Sequence, residues 1–253
     1  MEQNLSGKKI LITGGTSRLG SAFVKKALAK GAAIFLTYYK NKEEASNLER
    51  LGARGFELDL ADAAAIKKFS AVLKDEIKTL DVLIHNAALV RDATLQNLTE
   101  ADWDAVMAVD LKAPYLLTKN LLPLFLRKTP PGGKIFMITS RLAIHGGIGV
   151  TAYASAKAGL IALSQSLAAE LGKRNILVNA INPGFMISAM TEHLPEQVLT
   201  ANRALSCLNR MSDPEEVADF LSYLCSDAMT QVTGQIFHLE SRKIGAYFSA
   251  PPA

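Results

Sequence analysis

Short apolar runs alternate along this chain with longer stretches of helical period. Residues 9–13, 33–37, 55–58, 82–85, 134–139, 177–181 and 235–239 form the apolar runs, and each predicts a strand. Several are continuously apolar rather than alternating, as expected where both faces of a parallel sheet are covered. Between them, residues 21–29, 43–51, 62–78, 100–126, 153–171 and 214–225 predict helices. Two of these carry start signals: Thr99 precedes Glu100 and Asp102, and Asp213-Pro214-Glu215-Glu216 supplies a cap, a first-turn proline and acids at the positive end of the helix dipole. Strand–helix alternation of this kind builds βαβ units with right-handed crossovers. The fold class is therefore α/β, a doubly wound parallel sheet of about seven strands with helices on both faces. No repeat, low-complexity tract or linker interrupts the pattern, so residues 1–253 read as one domain. Residues 184–212 lack clear period and predict a loop or a small helical lid.

Composition narrows the class. Of 253 residues, 49% are hydrophobic, enough for one large core. No apolar stretch approaches the roughly 20 residues of a membrane helix. Residues 1–9 lack the apolar segment of a secretory signal, which leads to the expectation of a cytoplasmic protein. Two cysteines, Cys207 and Cys225, are too few for a disulfide framework, and ordinary packing is expected of both. The net charge of +4 suits an anionic cofactor or an acidic partner. Lys and Arg are spread along the chain without interleaved aromatics, so neither nucleic acid nor membrane is expected as a partner.

The first apolar run ends in Thr13-Gly14-Gly15-Thr16-Ser17-Arg18-Leu19-Gly20 and enters a helix. Glycines allow a sharp turn there, and the helix N-terminus offers N–H groups and a positive dipole to a pyrophosphate. A dinucleotide is expected. NAD-specific folds place an acid some 20 residues further on, where it holds the ribose 2′-hydroxyl and would repel a 2′-phosphate. No Asp or Glu occurs from Gly20 to Lys42, and the second strand is followed by Tyr39-Lys40-Asn41. With Arg18, these residues offer the donors a 2′-phosphate needs, which points to NADP(H).

Tyr153 and Lys157 stand four apart on a predicted helix and face one side of it. A free tyrosine titrates near 10, too high for acid–base work at neutral pH. A neighbouring ammonium is expected to lower that value. Ser140, thirteen residues before Tyr153, ends a predicted strand and could hydrogen-bond a substrate carbonyl.

These markers together resemble the short-chain dehydrogenase/reductase family over about residues 8 to 240. They include TGGTSRLG at 13–20, Asp59-Leu60, His85-Asn86-Ala87-Ala88, Ser140, Tyr153, Lys157, Asn182-Pro183-Gly184 and Val232-Thr233-Gly234-Gln235. The resemblance implies a single-domain Rossmann-type sheet and a set of cofactor contacts. Gly14, Thr16, Ser17, Arg18 and Leu19 would line the turn; Tyr39, Lys40 and Asn41 the 2′-phosphate; Asp59 and Leu60 the adenine. Asn86, Ala87 and Ala88 would run along the ribose, with Pro183, Gly184 and Ser188 beside the nicotinamide. It also implies a catalytic set of Ser140, Tyr153 and Lys157. Arg91 to Leu95 and Arg210 to Ala218 look most like 3-oxoacyl-(acyl carrier protein) reductases.

Four positions depart from the family pattern: Arg18 and Ala88 replace glycines, Asp110 an asparagine, and Glu240 one of the glycines that usually close the last strand. Arg18 resembles pteridine reductases, which also carry basic and polar residues where Tyr39-Lys40-Asn41 stand. The family asparagine holds a water of the proton relay through its main-chain carbonyl. Asp110 keeps that carbonyl, and its carboxylate could also pair with Lys157.

The activity implied is reduction of a 3-oxoacyl thioester, with pteridine reduction as the alternative enzyme reading. A catalytically weak NADPH-binding regulator is the alternative of another class, and the retained Ser140, Tyr153 and Lys157 oppose it. Arg127, Lys128 and Arg174 could form a basic rim for an acyl carrier protein. Phe185, Met186, Ile187, Met190, Leu194, Leu199 and Leu205 are either an acyl pocket or a short helix burying one face. His145 is expected to be a solvated loop residue, and no metal is assigned to His85, His193 or His238, which lack ligand spacing. The helices at 100–126 and 153–171 resemble those through which family members form homotetramers.

Overall fold

In a computed structural model, residues 4–188, 191–192 and 194–241 are described; Met190 and His193 lie outside the described residues. Seven strands alternate with helices: β1 (Lys9–Ile12), α1 (Arg18–Ala29), β2 (Ala33–Tyr38), α2 (Lys42–Arg50), β3 (Arg54–Glu57), α3 (Ala63–Glu76), β4 (Val82–His85), α4 (Glu100–Met107), α5 (Ala113–Leu126) and β5 (Gly133–Ile138). There follow α6 (Leu142–His145), α7 (Thr151–Leu171), β6 (Ile176–Asn182), α8 (Glu196–Ala204), α9 (Pro214–Cys225) and β7 (Ile236–His238). All pairings are parallel, in the order β3-β2-β1-β4-β5-β6-β7. The chain winds outward in one direction from β1 and in the other from β4. The crevice beyond the C-terminal ends of those two strands is where such sheets bind ligands.

The continuously apolar strands explain the layers. In β1, Ile10 and Ile12 pack with Phe23 and Val24 of α1 and Val217 and Leu221 of α9. Leu11 points the other way, to Leu117 and Leu121 of α5, Phe69 of α3 and Leu160 of α7. Each fully buried Leu, Ile or Phe contributes about 1.5–3 kcal/mol, so both helical layers are held by the same few central strands. Lys134 of β5 is buried and its Nζ donates to the carbonyls of Leu224, Ser226 and Met229, which closes the end of α9 onto the sheet.

Some expectations are corrected. The stretch 100–126 is not one regular helix, because a π-helical turn at Ala108–Lys112 separates α4 from α5. Pro114 lacks the N–H that a regular helix would direct to the Asp110 carbonyl, so the ladder must change its period there. Cys225 packs in the core as expected, but Cys207 is exposed. In the 184–212 segment, α8 buries Leu199, while Phe185, Met186, Ile187, Leu194 and Leu205 remain half-buried.

Candidate active site

The C-terminal edge of the sheet gathers most of the singled-out residues. After β1 the chain turns at Gly14, whose φ of +63° is in the left-handed region, and a Cβ there would stand 2.9 Å from Ala87 Cα. Gly20 lies in the first turn of α1, where a Cβ would come within 2.5 Å of the Gly14 carbonyl oxygen. Ser17 caps α1, its Oγ accepting from Gly20 N at 3.1 Å. Asn86 fastens this turn to β4: its Nδ2 donates to the carbonyls of Thr13 (3.0 Å) and Gly14 (2.9 Å) and to Ser17 Oγ (3.1 Å). Thr13 Oγ1 accepts in return from Asn86 N and Ala87 N. The result is a tight glycine turn fastened at a helix N-terminus, whose N–H groups and dipole suit the pyrophosphate of a dinucleotide.

Tyr39, Lys40 and Asn41 follow β2 on the same edge and are exposed. Lys40 Nζ stands 5.6 Å from the Tyr39 ring centroid. The Asn41 side chain is engaged as the cap of α2, accepting from Glu44 N at 3.1 Å. Arg18 is engaged elsewhere in the structure. Its Nη2 lies 3.4 Å from Glu192 Oε2, a pair that bridges the glycine turn and the segment before α8. Nothing local in the sequence signals a pair 174 residues apart. Asp59 follows β3, with its Oδ1 accepting from Ala61 N at 2.8 Å. Pro183 and Gly184 follow β6, and Gly184 has a φ of +80°. Ser188 lies further on, its N–H donating to Thr191 Oγ1 at 2.9 Å.

Ser140 follows β5, and its Oγ accepts from Leu142 N at 3.2 Å. That contact fixes the hydroxyl, which acts to lower the Tyr153 pKa. Lys157 lies one turn beyond Tyr153 on the buried side of α7. Its Nζ donates to the Ile138 carbonyl at 3.1 Å, forms an ion pair with Asp110 Oδ2 at 3.2 Å, and stands 5.4 Å from the Tyr153 ring centroid. Asp110 is fully buried, and its Oδ1 accepts from Leu89 N at 2.6 Å.

This geometry changes the electrostatic expectation. Burial raises the Tyr153 pKa; Lys157 and the Ser140 hydrogen bond lower it, Asp110 raises it again, and the net direction is upward. Lys157 therefore acts in the expected sense but is outweighed. Burial works to lower Lys157, yet Asp110 and Tyr153 prevail and its pKa is raised. Burial likewise raises Asp110, against the pull of Lys157 and the Leu89 N–H.

His85, the last residue of β4, belongs to the His85-Asn86-Ala87-Ala88 marker, and no role is expected of its ring. It is buried, its Nε2 lies 2.8 Å from Thr118 Oγ1, and burial with the nearby Lys157 charge lowers its pKa to about 3. A polar residue closing the apolar run Val82-Leu83-Ile84 was the signal available. His145 is exposed, but it ends the short helix α6 rather than lying in a loop, because its N–H donates to the Arg141 carbonyl. The three basic rim candidates do not join this site within one chain. Arg127 and Lys128 follow α5, Lys128 pairs with Asp81 at 2.6 Å just before β4, and Arg174 lies just before β6. All three therefore stand at the N-terminal edge of the sheet, opposite Tyr153, because crossover helices run antiparallel to their strands.

Known proteins resemble the chain over nearly its whole length. A family model described as "Enoyl-(Acyl carrier protein) reductase" matches residues 15–241. The chain is 33% identical over 245 residues to the 3-oxoacyl-(acyl-carrier-protein) reductase FabG of Aquifex aeolicus, covering 94% of this chain and 98% of that protein. It is 36% identical over 242 residues to the FabG reductase of Thermotoga maritima, covering 93% and 97%. Among solved structures, the Pseudomonas aeruginosa RhlG/NADP active-site complex superimposes with a TM-score of 0.88 at 28% identity, covering 97% of this chain and 98% of that one.

Proposed function

The chain belongs to the short-chain dehydrogenase/reductase family, and from that premise we propose that it reduces a 3-oxoacyl thioester to the 3-hydroxyacyl thioester with NADPH. It is an NADP-dependent oxidoreductase of that family. The observation that carries the choice of reaction is the Ser140–Tyr153–Lys157 constellation at the C-terminal edge of the sheet, beside the glycine turn after β1. The 3-oxoacyl substrate is supported by the relatives' names and by the half-buried apolar residues of the 184–212 segment, which we take as a lid.

NADPH, when bound, supplies the hydride that reaches the carbonyl carbon. Gly14, Thr16, Ser17, Leu19 and Gly20 would hold its diphosphate, Asn86 to Ala88 its ribose, and Pro183, Gly184 and Ser188 its nicotinamide end. Asp59 and Leu60 stand where an adenine ring would rest. Lys40 offers an unpaired charge to the 2′-phosphate, and Arg18 can do so by leaving Glu192. Ser140 Oγ holds the carbonyl oxygen, and the Tyr153 phenol gives that oxygen its proton. Lys157 stabilises the phenolate that remains and is itself paired with the buried carboxylate of Asp110.

Pteridine reduction keeps one supporting observation, the Arg18 side chain at the glycine turn. A substrate panel separates the two readings: NADPH oxidation with acetoacetyl-CoA, with dihydrobiopterin and with a simple ketone. Turnover of the acetoacetyl thioester well above the others is expected. Turnover of the pterin without the thioester would overturn the substrate assignment.

A further inference from the structure

Asp110 stands where the family carries an uncharged amide, and what its carboxylate does follows from three features of the fold. The π-helical turn at Ala108–Lys112 widens the backbone between α4 and α5 and carries Asp110 to the inside, while Lys112 and Asp104 on the same stretch stay exposed. The carboxylate then divides its two oxygens: Oδ1 holds the N–H of Leu89 at 2.6 Å, and Oδ2 faces Lys157 Nζ at 3.2 Å. Both members of the ion pair are buried, with side-chain exposures of 2% for Lys157 and 0% for Asp110, so water screens the pair little.

We propose that Asp110 is a positioning residue which, acting through Lys157, holds the Tyr153–Lys157 pair in its proton-loaded form and so extends carbonyl reduction to higher pH. The proposal rests on the reading of Tyr153 as proton donor. In each reduction the carbonyl carbon takes the hydride, the carbonyl oxygen takes the Tyr153 proton, and the phenolate is reprotonated afterwards. Reduction therefore fails as pH rises through the loss of one proton from the pair, a loss that belongs to both groups together. An ammonium standing alone beside the phenol would release that proton early. A carboxylate on its far side offsets the charge and delays the release.

The surrounding groups leave Asp110 as the controlling charge. From β4, His85 faces the cluster as a neutral ring at working pH. From α7 come Tyr153 and Lys157 themselves, and from β5 only the Ile138 carbonyl and the Ser140 hydroxyl. Asp92, in the loop after β4, also acts to raise Tyr153, but it is exposed and acts more weakly than Asp110. The Asp110 effect is thus the buried and specific one.

Asp110→Asn keeps an oxygen for Leu89 N–H and removes only the charge. The alkaline limb of the pH profile of kcat/KM for reduction should move down by at least about one pH unit, the size of effect a charge at this range produces. A limb that stays in place, or moves up, overturns the proposal. If the Asn variant does not fold, a tyrosinate titration still decides. The tyrosinate difference absorbance between the unmodified protein and Tyr153→Phe isolates Tyr153 without turnover. A midpoint below the free-tyrosine value of about 10 overturns the proposal; a midpoint above it that falls in Asp110→Ser, which removes the same charge, supports it, since burial is common to both proteins. A Tyr153→Phe enzyme with normal turnover would instead sink the functional reading, so the two failures are distinguishable.

Discussion

Replacing Lys40 and Arg18 by alanine should weaken NADPH and spare NADH, because only NADPH carries the 2′-phosphate. The two residues start from different positions. Lys40 is exposed and touches only the Tyr39 ring, so it gives up almost nothing to meet a phosphate. Arg18 must leave Glu192, from which it is separated by 3.4 Å with both side chains about half exposed. Such surface pairs contribute about 0–1 kcal/mol. A charge-assisted hydrogen bond contributes about 1.5–3 kcal/mol. Lys40→Ala should therefore raise the NADPH Kd about 10- to 150-fold, at roughly 1.4 kcal/mol per factor of ten. Arg18→Ala nets about 0.5–3 kcal/mol after the Glu192 pair is subtracted. The double variant should lose about 2–6 kcal/mol, and less as salt screens the phosphate contact. Glu192→Gln frees Arg18 and should tighten NADPH by up to about fivefold. The assay is fluorescence titration of NADPH and NADH at low and high ionic strength. Equal losses for both cofactors, or equal binding of both by the unmodified protein, would refute the reasoning.

Two further outcomes are expected. The folded-state pKa of His85 is depressed from 6.5 to about 3, so its neutral form favours folding above about 6.5, and stability falls as pH drops from there towards about 3. Between pH 6.5 and 5 that amounts to about 1.6 kcal/mol, and His85→Asn should abolish this share of the acid sensitivity in urea melts at the two pH values; an unchanged pH dependence would show that His85 is not its source. Gly20→Ala places a Cβ 2.5 Å from the Gly14 carbonyl oxygen and 2.9 Å from Gly15 backbone atoms, none of which can rotate away. The cofactor turn must shift, at about 1–3 kcal/mol, with lower melting temperature and weaker NADPH binding, whereas Gly172→Ala, with open space around it, should change neither.

Strand order and layers were legible because central parallel strands are buried on both faces and leave continuous apolar runs, as in Val82-Leu83-Ile84. The glycine turn and the Tyr153–Lys157 spacing were legible for a similar reason: each depends on neighbours close in sequence. What escaped the sequence depends on distant residues. The Arg18–Glu192 pair joins the glycine turn to the segment before α8, with no local trace in the sequence. The π-helical turn has Pro114 as its only local trace, since proline tolerates a first turn as readily as it disrupts an interior one. The net direction of the Tyr153 pKa needed the burial of α7 and the inward turn of Asp110, and neither has a signature in spacing. Within one chain, Arg127, Lys128 and Arg174 lie at the strand edge opposite Tyr153, a placement that only the three-dimensional connection reveals.

The most direct test of the chemistry is the rate of NADPH oxidation with a 3-oxoacyl thioester by the Tyr153→Phe enzyme, measured beside its NADPH affinity. Phenylalanine keeps the ring and removes the only proton that this site is built to give. The expected result is a turnover reduced about 10²- to 10⁴-fold, with NADPH binding nearly unchanged. Turnover close to that of the unmodified enzyme would contradict the assignment of Tyr153 as the proton donor.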